Sequence, residues 1–498
     1  MERRGRIPVS APHPHPLPSY WHIPKSPLAN HTSHLSTTPY DYAIVGSGIS
    51  GTLIAYNLLL SAPSASIVML EAREACGGAT GRNGGHTKAA SYRTYLEHRE
   101  ELGREEALKI ARLEYANILA THALARELGI ECESNECNTV DLIYDEETFV
   151  AGRQAIETLR ADAEEGERKQ GGMAWYEVYG KEDAMKKFWV GAWNGNEVVK
   201  EDERLVGAFE YRAGRINAYK FTTRILEECV KKGLALCTNT PVHAIEHVAD
   251  GNGPIYSTRT ADRTIRAHEV ILATNGYTPY LLKSMQGAIV PLRGQITAQR
   301  PGKSTQFSGV LPTTYSFIYK TGYEYMISRP LPGGEQHMVI GGGLGREPEG
   351  GVSEFGTTDD SVLNGSVSKY LHGSLAGYFG SGNWGETSED EASKRIAKEW
   401  TGIMGATADG RPYVGPVPAK SRGVWISAGF NGHGMVLCLK SAEALVHMVR
   451  GGEPEQLDWY PTSFIISQQR LSGSMFSGRT DMKVPETQEG PIAAKSRL

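Results

Sequence analysis

The stretch Asp41-Tyr42-Ala43-Ile44-Val45-Gly46-Ser47-Gly48-Ile49-Ser50-Gly51 constrains this chain more than any other. A short apolar run ends in three glycines at G-x-G-x-x-G spacing, and the apolar residues 52–60 follow, so the segment reads as strand, tight turn and helix. Each glycine has its own task. Gly46 permits the sharp turn, Gly48 lets N–H groups at a helix N-terminus approach a pyrophosphate, and Gly51 lets the helix lie close on the strand. A second apolar strand, residues 65–70, ends in Glu71, twenty residues beyond Gly51, where an acid would hold a pair of ribose hydroxyls. The glycine spacing alone is a weak signal. Between a strand and a helix, with an acid at that distance, it predicts a dinucleotide site.

A ligand of that size needs a chain able to surround it, and 498 residues, 40% hydrophobic and 22% charged, supply core for two or three domains. A net charge of −5 without a basic patch interleaved with aromatics disfavours nucleic acid. No apolar window reaches bilayer-spanning length, so no membrane is expected. Residues 1–38, with Pro12, Pro14, Pro16 and Pro18, form an irregular lead-in without a secretory apolar core, and Tyr20 and Trp21 are placed to tuck against the body. Six cysteines lack C-x-x-C pairs or histidines at zinc spacing and read as reduced, intracellular thiols rather than a metal site; Cys132 and Cys137 are near enough in sequence to bridge. The tripeptide Ser496-Arg497-Leu498 is a conservative variant of the S-K-L address, so an import receptor and a peroxisomal location are expected, a cytoplasmic one otherwise.

After Arg73 comes a second glycine-rich run, Gly77-Gly78-Ala79-Thr80-Gly81-Arg82-Asn83-Gly84-Gly85-His86, which needs its backbone close to something. Periodicity predicts helices over 99–129 and 147–164 and a strand over 139–144. Gly214-Arg215-Ile216-Asn217 turns into a helix through Leu226, and short strands follow at 235–237, 242–245, 256–260 and 270–276. Strand signals at 294–299, 316–319, 323–328 and 337–340 predict an antiparallel sheet; then come a polar loop over 347–365 and helical patterns at 366–378 and 388–399. Residues 424–435 repeat the opening logic, strand then glycine-rich turn, before an apolar helix over 436–449; beyond about 455 the periodicity is weak.

Four separated motifs, residues 46–51 with Glu71, residues 78–85, Ala273-Thr274-Asn275-Gly276-Tyr277 and residues 428–434, resemble the FAD-dependent amine and amino-acid oxidoreductases of the D-amino-acid oxidase type, glycine and sarcosine oxidases included. Within that family, Gly78-Ala79-Thr80-Gly81-Arg82-Asn83-Gly84-Gly85 looks most like the G-A-S-G-R-N-G-G of gamma-glutamylputrescine oxidase-like members. The resemblance implies an α/β and α+β fold. A Rossmann-type FAD-binding domain would come from residues 39–95, 206–290 and 396–455, and a discontinuous antiparallel-sheet substrate domain from 96–205 and 291–395, with a tail over 456–498. It also implies FAD as cofactor. Gly46, Ser47, Gly48, Ile49, Ser50 and Gly51 would surround the pyrophosphate, Glu71 would hold the ribose with Ala72 and Arg73 at the adenosine edge, and the Val242 backbone would meet the adenine. Ala79, Thr80, Gly81, Arg82, Asn83, Gly84 and Gly85 would pass the ribityl chain and ring, with Ala273, Thr274, Asn275 and Gly276 beside them. Gly429, Asn431, Gly432, His433, Gly434 and Met435 would aim helix-start N–H groups at the ring, where they stabilise charge developing on reduction.

Members that attach the flavin through histidine place it about where this chain has Arg82, and those using cysteine about where it has Gly402, so non-covalent FAD is expected, with His86 a remaining minor candidate. The lysine that sarcosine oxidases hold over the flavin falls at Val339 or its neighbours; Lys320 would substitute only if it faces the ring. The implied reaction is hydride transfer from the carbon beside a neutral amine to flavin N5, giving an imine that water hydrolyses, with molecular oxygen converted to hydrogen peroxide. Arg329 could fork onto a substrate carboxylate, Tyr325 or Tyr323 could wall the pocket, and His433 could lie near the flavin. The plainer roles are an inter-strand salt bridge for Arg329, a capping role for His433 and a loop carbonyl for Arg293. Competing functions are a dehydrogenase passing electrons to a carrier, a specialised flavin oxidase of a biosynthetic pathway, an NAD-dependent enzyme, which would not need the 428–434 return, and a non-catalytic flavin-bearing assembly protein. The segments that choose the substrate, 96–205 and 291–395, carry the fewest motifs.

Overall fold

Two sheets position the site in this computed structural model, which describes residues 1–249, 254–303, 305, 309–386, 392–418 and 423–479. The first sheet grows around Tyr40–Val45, which pairs in parallel with Ile67–Leu70 on one side and Thr264–Leu272 on the other. Ala235–Cys237 and Val424–Ala428 extend the parallel array, and Tyr413–Pro416 closes one edge in the antiparallel sense. Alternate residues point to opposite faces, as a strand requires. Ile44, Met69 and Ile271 meet the helices Ile49–Ser61, Ala218–Lys231 and Gly434–Val449, whereas Val45, Leu70 and Leu272 meet Tyr256, Leu282 and Met285.

The second sheet runs in the order Ile396–Thr407, Ile289–Gln299, Gln336–Gly341, Gly322–Pro330, Thr314–Tyr319, Asn135–Ile143, Gly207–Arg215 and His86–Thr87, with Tyr176–Gly180 also on Gly207–Arg215. Its pairs are antiparallel except Thr314–Tyr319 with Asn135–Ile143. Strands Gly207–Arg215 and Ile396–Thr407 therefore lie in this sheet rather than in the nucleotide-binding segments to which the sequence assigned them. The pattern read as helix over 388–399 is, among the described residues, one turn at Ala392–Arg395 followed by strand. Pairing with Ile289–Gln299 along most of its length overrides the local helical preference.

The periodic region read as one helix over 99–129 is two, Tyr92–Leu102 and Arg104–Glu127, broken where Gly103 takes φ +87°. The longer one packs on the cofactor side: Asn117 donates to Met435 O at 3.1 Å and accepts from Lys440 N–H at 3.0 Å. This helix falls within 96–205, the stretch read as substrate domain. The lead-in contains a helical turn, Glu2–Gly5, and a 3-10 turn, Tyr20–His22, that buries Trp21 among Ile296, Ile327 and Val339. The tail likewise holds structure, Gln468–Ser472 being helical and Tyr460, Phe464 and Phe476 buried. Ser496-Arg497-Leu498 lies outside the described residues. All six cysteines are free thiols. Among the described residues no helix is long and apolar enough to cross a membrane, and no group of His, Cys, Asp or Glu is placed to hold a metal.

Candidate cofactor and substrate site

A cleft opens at the carboxyl ends of the parallel strands, the crevice where such sheets bind ligands. Its floor is the first glycine turn. Gly46 takes φ +108°, and a Cβ there would lie 2.6 Å from Ala273 O; a Cβ on Gly51 would overlap Gly46 O. Helix Ile49–Ser61 then starts at Gly48 without a side-chain cap, so the positive end of its dipole faces the cleft. Gly46, Gly48, Ile49 and Ser50 line the cleft, with Ile49 N–H donating to Thr80 Oγ1 at 3.0 Å. Ser47 and Gly51 do not line it. Ser47 is fully buried, and its N–H and Oγ donate to Glu71 Oε2 at 3.0 and 2.7 Å while Oγ accepts from Cys76 N–H at 2.9 Å. It orients the acid. Glu71 Oε1 accepts Arg73 N–H at 2.9 Å, so three of a carboxylate's roughly four acceptor positions are used and one on Oε1 is left at the cleft wall.

The second glycine run supplies the next wall. Ala72, Ala79, Thr80 and Asn83 line the cleft, and so do Arg73 and Arg82, but both guanidinium groups turn into the protein. Arg73 Nη1 donates to both Asp360 oxygens at 3.0 and 2.8 Å, and Nη2 to Gly77 O at 2.9 Å. Arg82 donates to Gly77 O at 2.9 Å, Thr401 O at 2.9 Å and Leu17 O at 2.7 Å, with its Nε 3.6 Å from Asp360. Burial pushes Arg82 down to about 10, with Asp360 offsetting part of the effect. These arginines hold the loop in shape, their charged ends engaged by Asp360 and by backbone carbonyls. Gly81 and Gly85 sit outside the lining, packed on Cys76 O and Ile216 O.

Val242, Ala273, Thr274 and Asn275 also line the cleft. Gly276 is shielded beneath the Met404 backbone. Asn275 Oδ1 accepts from Gly429 and Phe430 N–H at 3.0 and 3.2 Å, which locks the return turn. Gly429 and Asn431 are structural there, Asn431 Oδ1 accepting Thr407 N–H at 2.8 Å, while Gly432, Gly434 and Met435 line the cleft. Tyr277 lines the cleft, but its hydroxyl is buried in the protein without a hydrogen-bond partner.

A second cavity, about 1130 Å³, shares Asn83, Gly294, Tyr325, Met404, Gly432 and Met435 with the first. Tyr325 walls both and lies flat against Gly84, which lines the second cavity alone. His433 also faces the second cavity, at the start of helix Gly434–Val449, with Nδ1 3.0 Å from Asn431 O. Arg293 lines it and forks onto Glu354 at 2.7 and 3.2 Å while donating to Asp359 O. Two expectations are corrected. Arg329 lines neither cavity; it forks onto Glu133 at 2.8 and 3.0 Å beneath the rings of Tyr20 and Trp21. Lys320 occupies the turn between two strands, 57% exposed and 3.5 Å from Glu147, and cannot face a ring.

Sequence reasoning missed Asp360, Lys88, Arg93 and Arg479. Lys88, two residues past the glycine run, bonds Asp141 and Ser316 at the second cavity, and Asp141 Oδ2 accepts the hydroxyls of Tyr92 and Tyr211, both at 2.9 Å. Its position beside the motif was the available signal. Asp360 and Arg479 sit in segments without periodicity and carried none. Nearby, burial raises Glu114 to about 7, although Ser91 Oγ donates to it.

The family described as DAO, FAD dependent oxidoreductase, matches residues 41–448. The chain is 23% identical over 206 residues to glycine oxidase of Pseudomonas putida, 41% of this chain and 47% of that protein. It is 24% identical over 241 residues to D-amino acid dehydrogenase of Rhizobium johnstonii, 48% of this chain and 50% of that one. It thus spans about half the length of the curated relatives it matches. Its fold is similar to the crystal structure of glycine oxidase from Geobacillus kaustophilus, with a TM-score of 0.63 and 20% identity over 87% of this chain and 99% of that one.

Proposed function

The chain belongs to the DAO family of FAD dependent oxidoreductases, and on that premise we propose that it oxidises the C–N bond of a small amine or amino acid, with FAD held non-covalently and oxygen as the electron acceptor. The observation that carries this reading is the junction of the two cavities at Asn83, Gly294, Tyr325, Met404, Gly432 and Met435, where a molecule in one meets a molecule in the other. The residues present fit FAD. The helix start at Gly48, Ile49 and Ser50, which Gly48 does not cap and where Thr80 Oγ1 accepts Ile49 N–H, suits a pyrophosphate, and Glu71 keeps one acceptor position for a ribose hydroxyl. When bound, FAD supplies a hydride acceptor that turns the C–N bond into a hydrolysable imine and then passes the electrons to oxygen.

The chain's own groups bind and orient. Helix Gly434–Val449 presents its positive end to the cleft and favours negative charge there. Tyr325 and Met404 line both cavities and give the junction an apolar wall. Non-covalent attachment is supported by the cleft lining, which among the described residues holds no histidine, and one cysteine, Cys438, whose thiol burial pushes up. One observation favours a second reading. Among the described residues the cleft lining holds no lysine, and Lys88 in the adjoining cavity is held by Asp141, which supports a dehydrogenase passing electrons to a carrier. Residues 78–85 alone carry the likeness to gamma-glutamylputrescine oxidase-like members, so amines belong beside amino acids in the test. Anaerobic bleaching of the flavin by a panel of both, followed by admission of air, decides. Bleaching, then recovery with hydrogen peroxide, is expected; a flavin that stays reduced in air but reduces a dye supports the dehydrogenase, and a flavin that no amine bleaches sinks the proposal.

A further inference from the structure

Three neighbouring strands of the second sheet bring Asp141, Ser316 and Tyr325 into one row. Asp141 is in register with Ser316 across the parallel ladder, and Ser316 with Tyr325 across the antiparallel one. Residues in register on adjacent strands share a face of the sheet. Lys88, from the segment that follows the glycine run, reaches this row and donates to Asp141 Oδ1 and Ser316 Oγ. Lys88, Ser316 and Tyr325 line the second cavity, whereas Asp141 is fully buried and does not. The other oxygen of Asp141 accepts the hydroxyls of Tyr92 and Tyr211, both at 2.9 Å, so its charge is shared among three donors.

This arrangement leaves donors over. An ammonium has three N–H groups, and among the described residues Lys88 gives two of them, to Asp141 and Ser316. Ser316 Oγ accepts from Lys88, and its own hydroxyl hydrogen meets no acceptor among the described residues. An N–H and an O–H one hydrogen bond apart can each take one oxygen of a carboxylate, and bonds to an ionised acceptor are roughly twice as strong as neutral ones. A substrate ammonium finds no open carboxylate here, because Asp141 is taken. Ser316 stands one strand from Tyr325, about 5 Å away, and Tyr325 walls both cavities. A carboxylate held by Lys88 and Ser316 would leave the carbon beside it within a side chain's breadth of the junction. The cavity's arginines are not needed for this: Arg293 forks onto Glu354, and Arg93 and Arg479 are engaged around Tyr323. Resting on the C–N oxidation reading above, we propose that Lys88 and Ser316 hold the α-carboxylate of the substrate, which makes it an α-amino or α-imino acid rather than a simple amine.

The test is titration of the FAD-loaded enzyme with redox-inert propionate and propionamide at one ionic strength, followed by flavin absorbance and calorimetry. Propionate is expected to bind about tenfold or more tighter, the scale of one charged hydrogen-bonded contact. Ser316→Ala removes one donor, leaves the pair of Lys88 with Asp141 in place, and should narrow that preference. Lys88→Gln combined with Asp141→Asn removes both charges together, so that no buried carboxylate is left alone, and should abolish it. Equal affinity for the two probes in the unaltered enzyme, or binding of neither, overturns the proposal, and that comparison stands even if a variant fails to fold. A preference unchanged in Ser316→Ala and in the double variant overturns it as well. Bleaching of the flavin as fast by ethylamine as by either enantiomer of alanine overturns it while leaving C–N oxidation in place. A propionate preference lost in the variants, in an enzyme whose flavin no amine or amino acid bleaches, supports the carboxylate site and refutes the oxidation reading.

Discussion

Asp360→Asn is the sharpest probe of how the cofactor loop is held. The Asp360 side chain is fully buried and is the counter-charge for Arg73, at 2.8 Å, and for Arg82, at 3.6 Å, whose side chains are 7% and 2% exposed. Asparagine preserves volume and leaves the backbone anchored, since Asp360 O accepts Leu17 N–H at 2.8 Å and Thr401 Oγ1–H at 3.2 Å. What is lost is the charge. Breaking a buried pair from one side costs about 3–5 kcal/mol; the carbonyls of Gly77, Thr401 and Leu17 still receive the guanidinium groups, which places the cost near the lower end. If FAD must restore that order on binding, about 3 kcal/mol raises its dissociation constant roughly a hundredfold. Flavin fluorescence released on dilution measures the constant, and the urea midpoint of flavin-free protein measures the fold. Asp359→Asn is the control: its partly exposed carboxylate accepts only from Ser361, at 2.9 and 2.6 Å, so its effect should stay near 1 kcal/mol. An Asp360→Asn protein within about threefold of the unaltered FAD affinity and with an unchanged urea midpoint would refute the account.

Three further outcomes are expected. Gly51→Ala drives a methyl into Gly46 O, and because backbone cannot yield, it should cost at least the 1–3 kcal/mol or so of overpacking and yield protein without flavin, read as the 450-to-280 nm ratio. Tyr277→Phe removes a hydroxyl that is buried without a partner among the described residues, so the flavin-free protein should gain roughly 1 kcal/mol; a lower melting temperature would show that the hydroxyl is satisfied. Glu114, raised from 4.5 to about 7, binds its proton more tightly folded than unfolded, so its stabilising share is full below about pH 4.5 and is lost as pH rises through about 7. Glu114→Gln should therefore gain stability over the parent between those values, by up to about 3 kcal/mol at pH 8, seen as diverging denaturant midpoints; a constant offset from pH 4 to 8 would show that the carboxyl does not titrate as described.

How much of this was legible differs by element. The turn at residues 46–51 and Glu71 were readable because a strand, a glycine and a helix start are each specified by residues within a few positions. Ser47 shows the limit within that motif: spacing puts it at the phosphate, but its hydroxyl reaches Glu71 instead. Arg329 and Lys320 share a sheet region rich in strand signals, and what separated them from the site was the partner opposite each, Glu133 for one and solvent with Glu147 for the other. Residues 396–399, read within a helical pattern over 388–399, open the strand Ile396–Thr407 because Ile289–Gln299 offers it an edge.

Sequence alone was enough for the first glycine turn, since the close contact of Gly51 with Gly46 O lies within one motif of near neighbours. Only the tertiary structure decided the rest: that Asp360 would neutralise Arg73 and Arg82, and that Arg93 and Arg479 would meet at Tyr323 beside the flavin cleft. A side chain's charge is written locally. What it does depends on the field of groups brought to it from hundreds of residues away, and that field exists only after the two sheets have closed on each other.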